Sequence, residues 1–321
     1  MVTGAGGFIG SHLVETLVAS GAQVRAFVRY NSRGDWGLLS MLPADRLRQV
    51  EVIAGDLRDP AAVGAALQGV THVFHLAALI AIPYSYLHPG EVVETNVIGT
   101  LNVLQAARQA GLERLVHTST SEVYGTALRV PIDENHPLQG QSPYSASKIG
   151  ADKLAESFYR AFDLPVVTVR PFNTYGPRQS ARAVIPTIIT QALSGDVIRL
   201  GNLEARRDLT YVTDTVAGFL RAAETPGIEG QTFNLGTGTE IRIRDLAREI
   251  VALIGREIEI QVDPARLRPE KSEVQRLISD NRRAQEVLGW VPQVPLREGL
   301  AHTIEWIAAH LDHYRPQSYQ L

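Results

Sequence analysis

Strand and helix patterns alternate over roughly the first 170 residues of this chain. Five short Val-rich runs have the composition of strands: "AQVRAFVR", "VEVIAGD", "THVFHLAA", "RLVHTST" and "PVVTVRP". The segments between them place apolar residues at helical spacing, as in "SHLVETLVASG" and "SASKIGADKLAESFYRAF". Such alternation forms a parallel sheet with helices on both faces, and the low charge of these strands agrees with burial of both faces. The sequence predicts an α/β fold with a Rossmann-type, doubly wound parallel sheet.

The pattern changes after Pro171, where Pro and Gly become frequent ("RPFNTYGPR") and the elements become shorter. Runs such as "DLTYV", "TFNLG", "EIEIQVD" and "LREGLAHTIEWIAAHL" predict a mixture of strands and helices. We therefore predict a cofactor-binding domain over 1–170, to which 208–238 returns. The remainder of 171–321 forms a smaller C-terminal α/β lobe that binds the substrate.

Composition excludes several classes of function. The net charge of −3 and the pI near 6.3 provide no basic field, so we expect neither nucleic acid nor an anionic membrane as a partner. Cysteine is absent, which excludes disulfides, Cys-ligated zinc and thiol catalysis, and we expect no metal site. The apolar runs are too short to span a bilayer, and "MVTGAGG" is no export signal, so we expect a cytoplasmic protein.

Glycines fill the turn between the first strand and the first helix. Gly4, Gly7 and Gly10 have the spacing G-x-x-G-x-x-G, one residue longer in its first gap than the usual dinucleotide fingerprint. Such a turn lets backbone approach a pyrophosphate at the helix N-terminus, although a tight strand-to-helix turn alone would also favour glycine. We predict that this turn, including Phe8 and Ile9, binds a dinucleotide.

The ends of the second and third strands contain the residues expected around the adenosine. The second strand ends in "AFVRYNS", with Arg29 and no acid before Asp35, which favours the 2′-phosphate of NADP over NAD. A solvated surface arginine is the alternative and leaves NAD possible. Asp56 and Leu57 in "AGDLRD" follow the third strand, where the carboxylate can accept from the adenine amine or cap the helix that starts near Pro60.

Lysine occurs at three positions in a chain of 321 residues that otherwise uses arginine, and one of them, Lys148, lies four residues after Tyr144. Residues four apart share a helix face. A tyrosine with a pKa of about 10 becomes a useful base near neutral pH only if a cation lowers that pKa. A chance Tyr-x-x-x-Lys is expected about 0.1 times in this composition, so a solvated helix face is the less favoured explanation.

The motifs "TGAGGFIG", "HLAA", "STSEVYG", "YSASK", "RPFNTYGPR" and "RRDLTYVTD" occur in the order found in extended short-chain dehydrogenases/reductases. The chain resembles this family from residue 1 to about 312, although its first strand, "MVT", is shorter than is usual there. The resemblance implies a Rossmann domain that binds NAD(P) and a C-terminal lobe that binds a nucleotide sugar. It implies catalysis by Thr120, Tyr144 and Lys148, and cofactor contacts from Leu76, Ala77 and Ala78.

The residues after Thr120 distinguish reactions within that family. Members that oxidise and re-reduce C4 of the sugar resemble this chain at Thr120 but lack an acid two residues later, whereas Ser121 and Glu122 follow here. Thr-Ser-Glu resembles GDP-mannose 4,6-dehydratases, and dTDP-glucose 4,6-dehydratases have Thr-Asp-Glu. A carboxylate can remove the C5 proton once C4 is a ketone, after which the C6 hydroxyl leaves as water. Because Ser121 is a poor acid, Glu122 or an ordered water must protonate that hydroxyl.

Residues of the predicted lobe resemble the family's contacts with the substrate. Asn173, Arg178 and Arg207 occupy positions that resemble diphosphate contacts, and "RLRPEKSEV" resembles a segment that brings Arg268 and Glu270 to the nucleotide. Solvated arginines on an arginine-rich lobe are the alternative.

The segment "HLAALIAIPYSYLHP" resembles the family's loop beside the sugar and places Ser85 at a substrate-binding position. Leu79 and Ile80 replace polar residues of the glucose and mannose enzymes and can face an N-acetyl methyl, or can belong to the core. The surrounding sequence resembles 4,6-dehydratases of legionaminic-acid-type pathways, which implies UDP- or GDP-linked N-acetylglucosamine as substrate. The product would be a 4-keto-6-deoxy sugar nucleotide.

Two other functions fit the same fold. A C4 epimerase would need no Glu122, and a non-catalytic NADP-binding regulator would be expected to lose Tyr144 or Lys148. The helical segments "VVETNVIGTLNVLQAARQAG" and "YSASKIGADKLAESFYRAF" have apolar residues on more than one face, and related enzymes pair these helices across a two-fold axis. We therefore expect a homodimer or a tetramer formed from two dimers.

Overall fold

The computed structural model describes residues 1–314. The strands in chain order are β1 (Val2–Thr3), β2 (Val24–Arg29), β3 (Val50–Gly55), β4 (His72–His75), β5 (Arg114–Thr118), β6 (Val166–Pro171), β7 (Thr174–Tyr175), β8 (Val197–Leu200), β9 (Arg206–Arg207), β10 (Thr210–Tyr211), β11 (Thr232–Leu235), β12 (Ile241–Arg242), β13 (Glu259–Val262) and β14 (Arg276–Leu277).

The helices alternate with these strands over the first half of the chain. They are α1 (Phe8–Ala19), α2 (Ala44–Leu47), α3 (Pro60–Ala66), α4 (Ile82–Leu87), α5 (Pro89–Val93), α6 (Gly99–Ala110), α7 (Pro143–Phe162), α8 (Val184–Ser194), α9 (Val212–Glu224), α10 (Ile243–Ile254), α11 (Arg282–Leu288) and α12 (Leu296–Ala309). A π-helical segment, Glu94–Ile98, joins α5 to α6, and 3-10 turns occur at Gly37–Met41, Ser121–Tyr124, Pro264–Arg266, Glu270–Ser272 and Leu311–His313.

The main sheet has seven strands in the order β11-β6-β5-β4-β1-β2-β3, all parallel to their neighbours. The strand order reverses between β1 and β4, and a doubly wound sheet binds its ligands in the crevice at the carboxyl ends of such strands. Strands β5 and β6 are almost completely buried, which explains their apolar composition. The predicted Rossmann-type fold is confirmed.

Helices cover both faces of this sheet. On one face, α3, α6 and α7 bury a cluster that includes Val63, Leu104 and Phe158. On the other face, α1 and α9 pack together, and their core, which includes Val14 and Phe219, continues into the smaller lobe. This shared core holds the lobe against the edge of the sheet where the crevice opens.

The smaller lobe is built mainly from α8, α10 and α12, which pack on one another, and from short strand pairs. Strand β8 pairs with β13 in parallel, and β9 lies between β12 and β14. Between these elements the chain crosses back, because α9 packs on β5 and β6 and β11 forms the edge of the main sheet. Residues 315–321 of the predicted lobe lie outside the described residues.

The N-terminus of α7 determines where Tyr144 and Lys148 lie. Ser142 and Ser145 form a capping box, in which each side chain accepts a hydrogen bond from the other residue's backbone N–H, and Pro143 occupies the first helical turn. The cap fixes the start of the helix, and Tyr144 and Lys148 therefore project from the same face toward the sheet. None of the helices within residues 1–314 combines the length and the apolar character that crossing a membrane requires.

Candidate active site

A cavity of about 660 Å³ opens at the carboxyl ends of the central strands, where the strand order reverses. Its walls come from the glycine turn after β1, from the residues that follow β2, β3, β4 and β5, and from Tyr144 on α7. This volume lies in the range of cofactor sites. The fold thus brings together chain segments that are more than a hundred residues apart.

The glycine turn is shaped for a ligand that approaches backbone closely. Gly4 has a φ of +69°, and a Cβ on it would come within 2.8 Å of the Ala77 backbone, while a Cβ on Gly10 would collide with the Gly4 carbonyl. Gly7 caps α1 with no side chain over the first amides, so these N–H groups remain available to an anion. The observed turn fits the pyrophosphate of a dinucleotide.

The other predicted cofactor residues line this same cavity: Phe8, Ile9, Arg29, Asp56, Leu57, Leu76, Ala77 and Ala78. Asp56 accepts from Arg58 at 2.6 Å, and this hydrogen bond lowers the pKa of the Asp56 carboxyl. Capping of α3 belongs instead to Asp59, which accepts from the N–H groups of Ala61 and Ala62, so the alternative cap role for Asp56 is wrong.

Arg29 ends β2 with an exposed side chain at the rim of the cavity, and its Nη2 lies 3.5 Å from Glu91 Oε1. The first acid after the strand, Asp35, is used locally, because its Oδ1 accepts from the Gly37 N–H at 2.7 Å. Sequence reasoning missed Trp36, which lines the cavity and whose carbonyl lies against Gly6. No pattern in the sequence indicated Trp36, since it depends on how the loop folds over the glycine turn.

The predicted catalytic side chains meet at the inner end of the cavity. Thr120, Ser121, Glu122 and Tyr144 all line it, and Thr120 Oγ1 accepts from the Glu122 N–H at 3.2 Å. Ser121 is buried, whereas Thr120 and Glu122 are partly exposed. Lys148 lies one turn further along α7, buried, with its Nζ donating to the Thr118 carbonyl at 2.7 Å.

Burial is the largest influence on the pKa values of Tyr144 and Lys148 on α7. It raises the pKa of the Tyr144 phenol above its ordinary value, with the Thr120 hydroxyl opposing and the Glu122 charge adding to this effect. Burial lowers the pKa of Lys148 to about 8, and the charge of Asp152 opposes this change. The charges of Glu122 and Asp152 act in the same direction as burial, and the lowering of the Tyr144 pKa by Lys148 stays a prediction.

A second cavity of about 310 Å³ lies in the smaller lobe and adjoins the first. Of the predicted substrate residues, Asn173, Arg207 and Arg268 line it. Arg207 is buried and lies 3.5 Å from Glu273, and a buried nitrogen of Arg268, Nη1, has no hydrogen-bond partner within the described chain. Cationic groups held in this way suit a phosphate or diphosphate group.

Three predicted substrate residues do not reach either cavity. Ser85 is fully buried and donates to the Ile82 carbonyl at 2.7 Å, which uses its hydroxyl within α4. Arg178 turns away and pairs with Glu15 on α1 at 2.6 Å. Glu270 is exposed on a 3-10 turn outside the cavity lining. These predictions are corrected by the packing around each residue, which the local sequence does not specify.

Sequence reasoning also missed several residues of the second cavity. Arg182, Arg266 and Glu273 line it together with Arg207 and Arg268, so four arginines and two carboxylates face the same space. The excess of arginine between 178 and 276 was a usable signal for an anionic substrate, but it could not show which arginines converge.

The two cavities share four lining residues, Glu122, Asn173, Thr174 and Gln179, and so form a continuous cleft. Glu122 acts electrostatically on Tyr144 on one side and on Arg207 on the other. A ligand held by the arginines of the lobe would therefore place its far end between Tyr144 and Glu122, where a hydroxyl and a carboxylate are both available for proton transfer.

The sequence comparisons identify the family. The family model described as GDP-mannose 4,6 dehydratase matches residues 1–303. A UDP-glucose 4-epimerase from Mycolicibacterium smegmatis is 37% identical, with 95% of this chain and 97% of that protein aligned. A dTDP-glucose 4,6-dehydratase from Streptomyces antibioticus is 34% identical over 95% of this chain and 91% of that protein.

Solved structures agree. A dTDP-glucose 4,6-dehydratase from Streptomyces venezuelae with NAD bound superposes with a TM-score of 0.88 at 31% identity, covering 99% of both chains. A UDP-glucose 4-epimerase from Thermotoga maritima with UDP-glucose gives a TM-score of 0.88 at 31% identity over 97% of this chain and 98% of that one. The chain belongs to the GDP-mannose 4,6 dehydratase family, a group of extended short-chain dehydrogenases/reductases that act on nucleotide sugars.

Proposed function

We propose that this protein is an NAD(P)-dependent nucleotide-sugar 4,6-dehydratase that forms a 4-keto-6-deoxy sugar nucleotide. The observation that carries the proposal is the position of Glu122, which lines both the cofactor cavity and the substrate cavity beside Tyr144. Oxidation and re-reduction at C4 would need no carboxylate there. Elimination across C5 and C6 requires a base at C5, and Glu122 is the carboxylate common to both linings.

Three residues of the chain handle the C4 hydroxyl. Tyr144 acts as the phenolate, takes the proton from O4 and becomes the neutral phenol. Thr120 donates a hydrogen bond to O4, and the charge of Lys148 stabilises the phenolate before the transfer. Because burial keeps the Tyr144 phenol protonated in the free protein, this proton transfer depends on charge supplied when the site is filled. Bound NAD(P) supplies the reversible two-electron acceptor for oxidation at C4 and reduction at C6.

Glu122 carries out the elimination. Its carboxylate takes the C5 proton, which the C4 ketone makes acidic, and the C6–O bond breaks as the hydroxyl leaves as water. Ser121 is buried and its hydroxyl is a poor acid. We therefore propose that Glu122, or a water bound to it, protonates the departing C6 oxygen. The Glu122 carboxyl would then take the C5 proton and donate a proton to the leaving hydroxyl.

The lining of the cleft supports a nucleotide diphosphate linked to an N-acetylated sugar. Arg182, Arg207 and Arg268 face the substrate cavity and match the charge of a diphosphate. Leu79 and Ile80 line the cofactor cavity, and Ile80 keeps 63% of its surface exposed, so its side chain is accessible to a bound ligand. We propose UDP- or GDP-linked N-acetylglucosamine, whose N-acetyl methyl would contact these side chains.

Incubation with a panel of UDP-, GDP- and dTDP-linked hexoses, followed by mass spectrometry, tests the function. A 4,6-dehydratase removes about 18 mass units, as water, from its substrate. The sequence identity with the M. smegmatis UDP-glucose 4-epimerase supports C4 epimerisation as the second candidate function. Conversion of a sugar nucleotide to its C4 epimer with no change in mass would replace the proposal by that candidate.

We propose that the cofactor is NADP, with NAD as a weaker ligand. The rim beyond β2 presents Arg29, whose side chain is 66% exposed, and the Asp35 carboxylate is occupied by its own turn. We expect NADP to bind more tightly than NAD and Arg29→Asp to reverse the order, because an acid repels the 2′-phosphate and accepts from ribose hydroxyls. Titration calorimetry with both dinucleotides measures this. Equal affinities that Arg29→Asp does not alter would make Arg29 a surface residue.

We propose that the protein is a homodimer, or a tetramer of two dimers, assembled through α5, α6 and α7. Large apolar side chains remain exposed on and next to these helices: Leu87 at the end of α4, Val93 on α5, Ile98 in the π-helical segment and Phe162 at the end of α7. We expect a dimeric or larger mass in light scattering at micromolar concentration, and Ile98→Glu should lower it because a charge would be buried at the interface. Val287→Glu, on exposed α11, is the matched control and should leave the mass unchanged. A monomeric wild-type protein contradicts the proposal.

A further inference from the structure

A buried group of polar side chains, Asp152, His117, Ser119 and Arg170, lies close to Lys148, and of these four Ser119 also lines the cofactor cavity. Its centre is the Asp152 carboxylate, one helical turn after Lys148 on α7 and 5% exposed. Asp152 accepts from His117 Nε2 at 3.0 Å, from Ser119 Oγ at 2.7 Å and from Arg170 Nη2 at 3.0 Å. Three buried residues, on β5, just after β5 and on β6, therefore converge on one carboxylate of α7.

The two histidines of this region are neutral, and their hydrogen bonds fix the tautomers. An ionised carboxylate only accepts, so His117 carries its proton on Nε2. Burial lowers the pKa of His117, and the charge of Lys148 acts in the same direction. The neighbouring His75, whose ring centre is 5.9 Å away, is likewise kept uncharged, because burial lowers its pKa well below the ordinary value.

His75 is held by threonines on both sides. Thr100 donates its proton to the Asn96 carbonyl at 2.6 Å, so it must accept from His75 Nε2 at 3.0 Å. His75 Nδ1 then accepts from the Thr3 hydroxyl at 2.8 Å. With all its hydrogen bonds made in the neutral form, His75 contributes no charge next to Lys148.

The charges that face Lys148 can therefore be assigned element by element. Asp152 on α7 is the negative one, with a pKa lowered to about 2 mainly by the His117 hydrogen bond and the Arg170 charge, which together outweigh burial. Arg170 on β6 is positive, and Nη1 of its guanidinium also donates to the Tyr124 hydroxyl at 2.9 Å. His75 on β4, His117 on β5 and Tyr144 on α7 are neutral. Two buried cations thus share one carboxylate.

We propose that Asp152, fixed by His117, Ser119 and Arg170, is a positioning residue that keeps Lys148 charged one helical turn from Tyr144. The proposal rests on the proposed function only in that Lys148 serves Tyr144. Lys148 itself donates to the Thr118 carbonyl, a neutral acceptor that cannot offset the burial of its charge. Without Asp152, the burial of the Lys148 charge would be left without an opposing negative charge, and Lys148 would lose its proton at a lower pH. Arg170 pairs with the same carboxylate, so its removal should act in the opposite direction.

Because the chain has few lysines, the protonation state of Lys148 can be measured directly. With lysine labelled at ¹³Cε, the protein gives signals from Lys148, Lys153 and Lys271 alone, and Lys153→Arg and Lys271→Arg assign the two others. In the wild type, the Lys148 signal should titrate with a pKa of about 8. Asp152→Asn should move this midpoint down by about one pH unit or more, and Arg170→Gln should move it up.

Both variants lose buried hydrogen bonds, so structural damage alone would affect them alike. Shifts of the Lys148 midpoint in opposite directions therefore indicate an electrostatic effect. Asp208→Asn removes another fully buried carboxylate, in the smaller lobe, and should leave the Lys148 midpoint unchanged. If Asp152→Asn does not fold, the upward shift in Arg170→Gln still tests the idea. Midpoints that stay at the wild-type value, or that move in the same direction in both variants, overturn it.

The pH profile of turnover gives the functional readout. Because Lys148 must be protonated, activity is lost as pH rises through its pKa, so Asp152→Asn should be much less active than wild type at alkaline pH and should recover toward it at lower pH. A purely structural role would lower activity equally at every pH. The lysine titration holds whichever reaction is catalysed, so a failed substrate panel and a failed Asp152 proposal give different results.

Discussion

Glu122→Gln is expected to stop dehydration while leaving oxidation at C4 intact. The amide keeps the size of the side chain but cannot take the C5 proton at the junction of the two cavities. Loss of a general base costs about 10²–10⁴-fold in rate. Since Tyr144, Thr120 and Lys148 remain, the variant should convert its bound cofactor to the reduced form when substrate is added. Near-ultraviolet absorbance and mass spectrometry of the product measure the two steps separately.

The matched control is Glu273→Gln, which removes a carboxylate that lines the substrate cavity but not the cofactor cavity. This side chain pairs with Arg207, so its loss should alter substrate binding without accumulating reduced cofactor. Dehydration by Glu122→Gln at the wild-type rate would reject the elimination mechanism and favour the epimerase.

Tyr144→Phe is expected to abolish both steps, with neither reduced cofactor nor dehydrated product. Removal of the hydroxyl deletes the group that takes the O4 proton, again with a loss of about 10²–10⁴-fold. The buried ring should pack as before, since the phenol is 7% exposed and the change leaves the ring in place. Stopped-flow absorbance after mixing with substrate would show the missing oxidation directly.

Tyr211→Phe is the comparable control, because Tyr211 is also 7% exposed and lies in neither cavity lining. It should keep both steps. Together the variants order the reaction: Tyr144 is needed for the first step and Glu122 for the second. Formation of reduced cofactor by Tyr144→Phe at the wild-type rate would remove Tyr144 from the role of base.

Much of the fold could be predicted from the sequence, because its determinants are local. Alternating strand and helix patterns specify a parallel sheet independently of the detailed tertiary contacts of the side chains. The glycine turn specifies where a ligand can approach the backbone closely. The placement of Thr120, Glu122 and Tyr144 in one cavity also followed from short motifs. Those motifs lie at the ends of β5 and the start of α7, and parallel strands end at one edge of the sheet.

The substrate end of the site could not be predicted in the same way. Ser85 and Arg178 lie where the sequence predicts substrate contacts. In the structure, however, the Ser85 hydroxyl donates to a carbonyl within α4, and the Arg178 guanidinium pairs with Glu15 on α1. Whether an arginine of the lobe faces solvent, a carboxylate or a phosphate depends on packing between segments far apart in the chain. Only the tertiary structure determines those contacts.

The sequence by itself determined the parallel sheet, the glycine turn after β1 and the placement of Tyr144 and Lys148 one helical turn apart, since each depends on residues within a few positions of one another. The tertiary structure decided that Glu122 lies where two cavities meet and that Asp152 joins His117 and Arg170 close to Lys148. The physical reason is that burial and charge act through space. The free energy of protonating each group depends on groups from segments that are tens of residues away in the chain. The distances between those groups cannot be read from the local sequence.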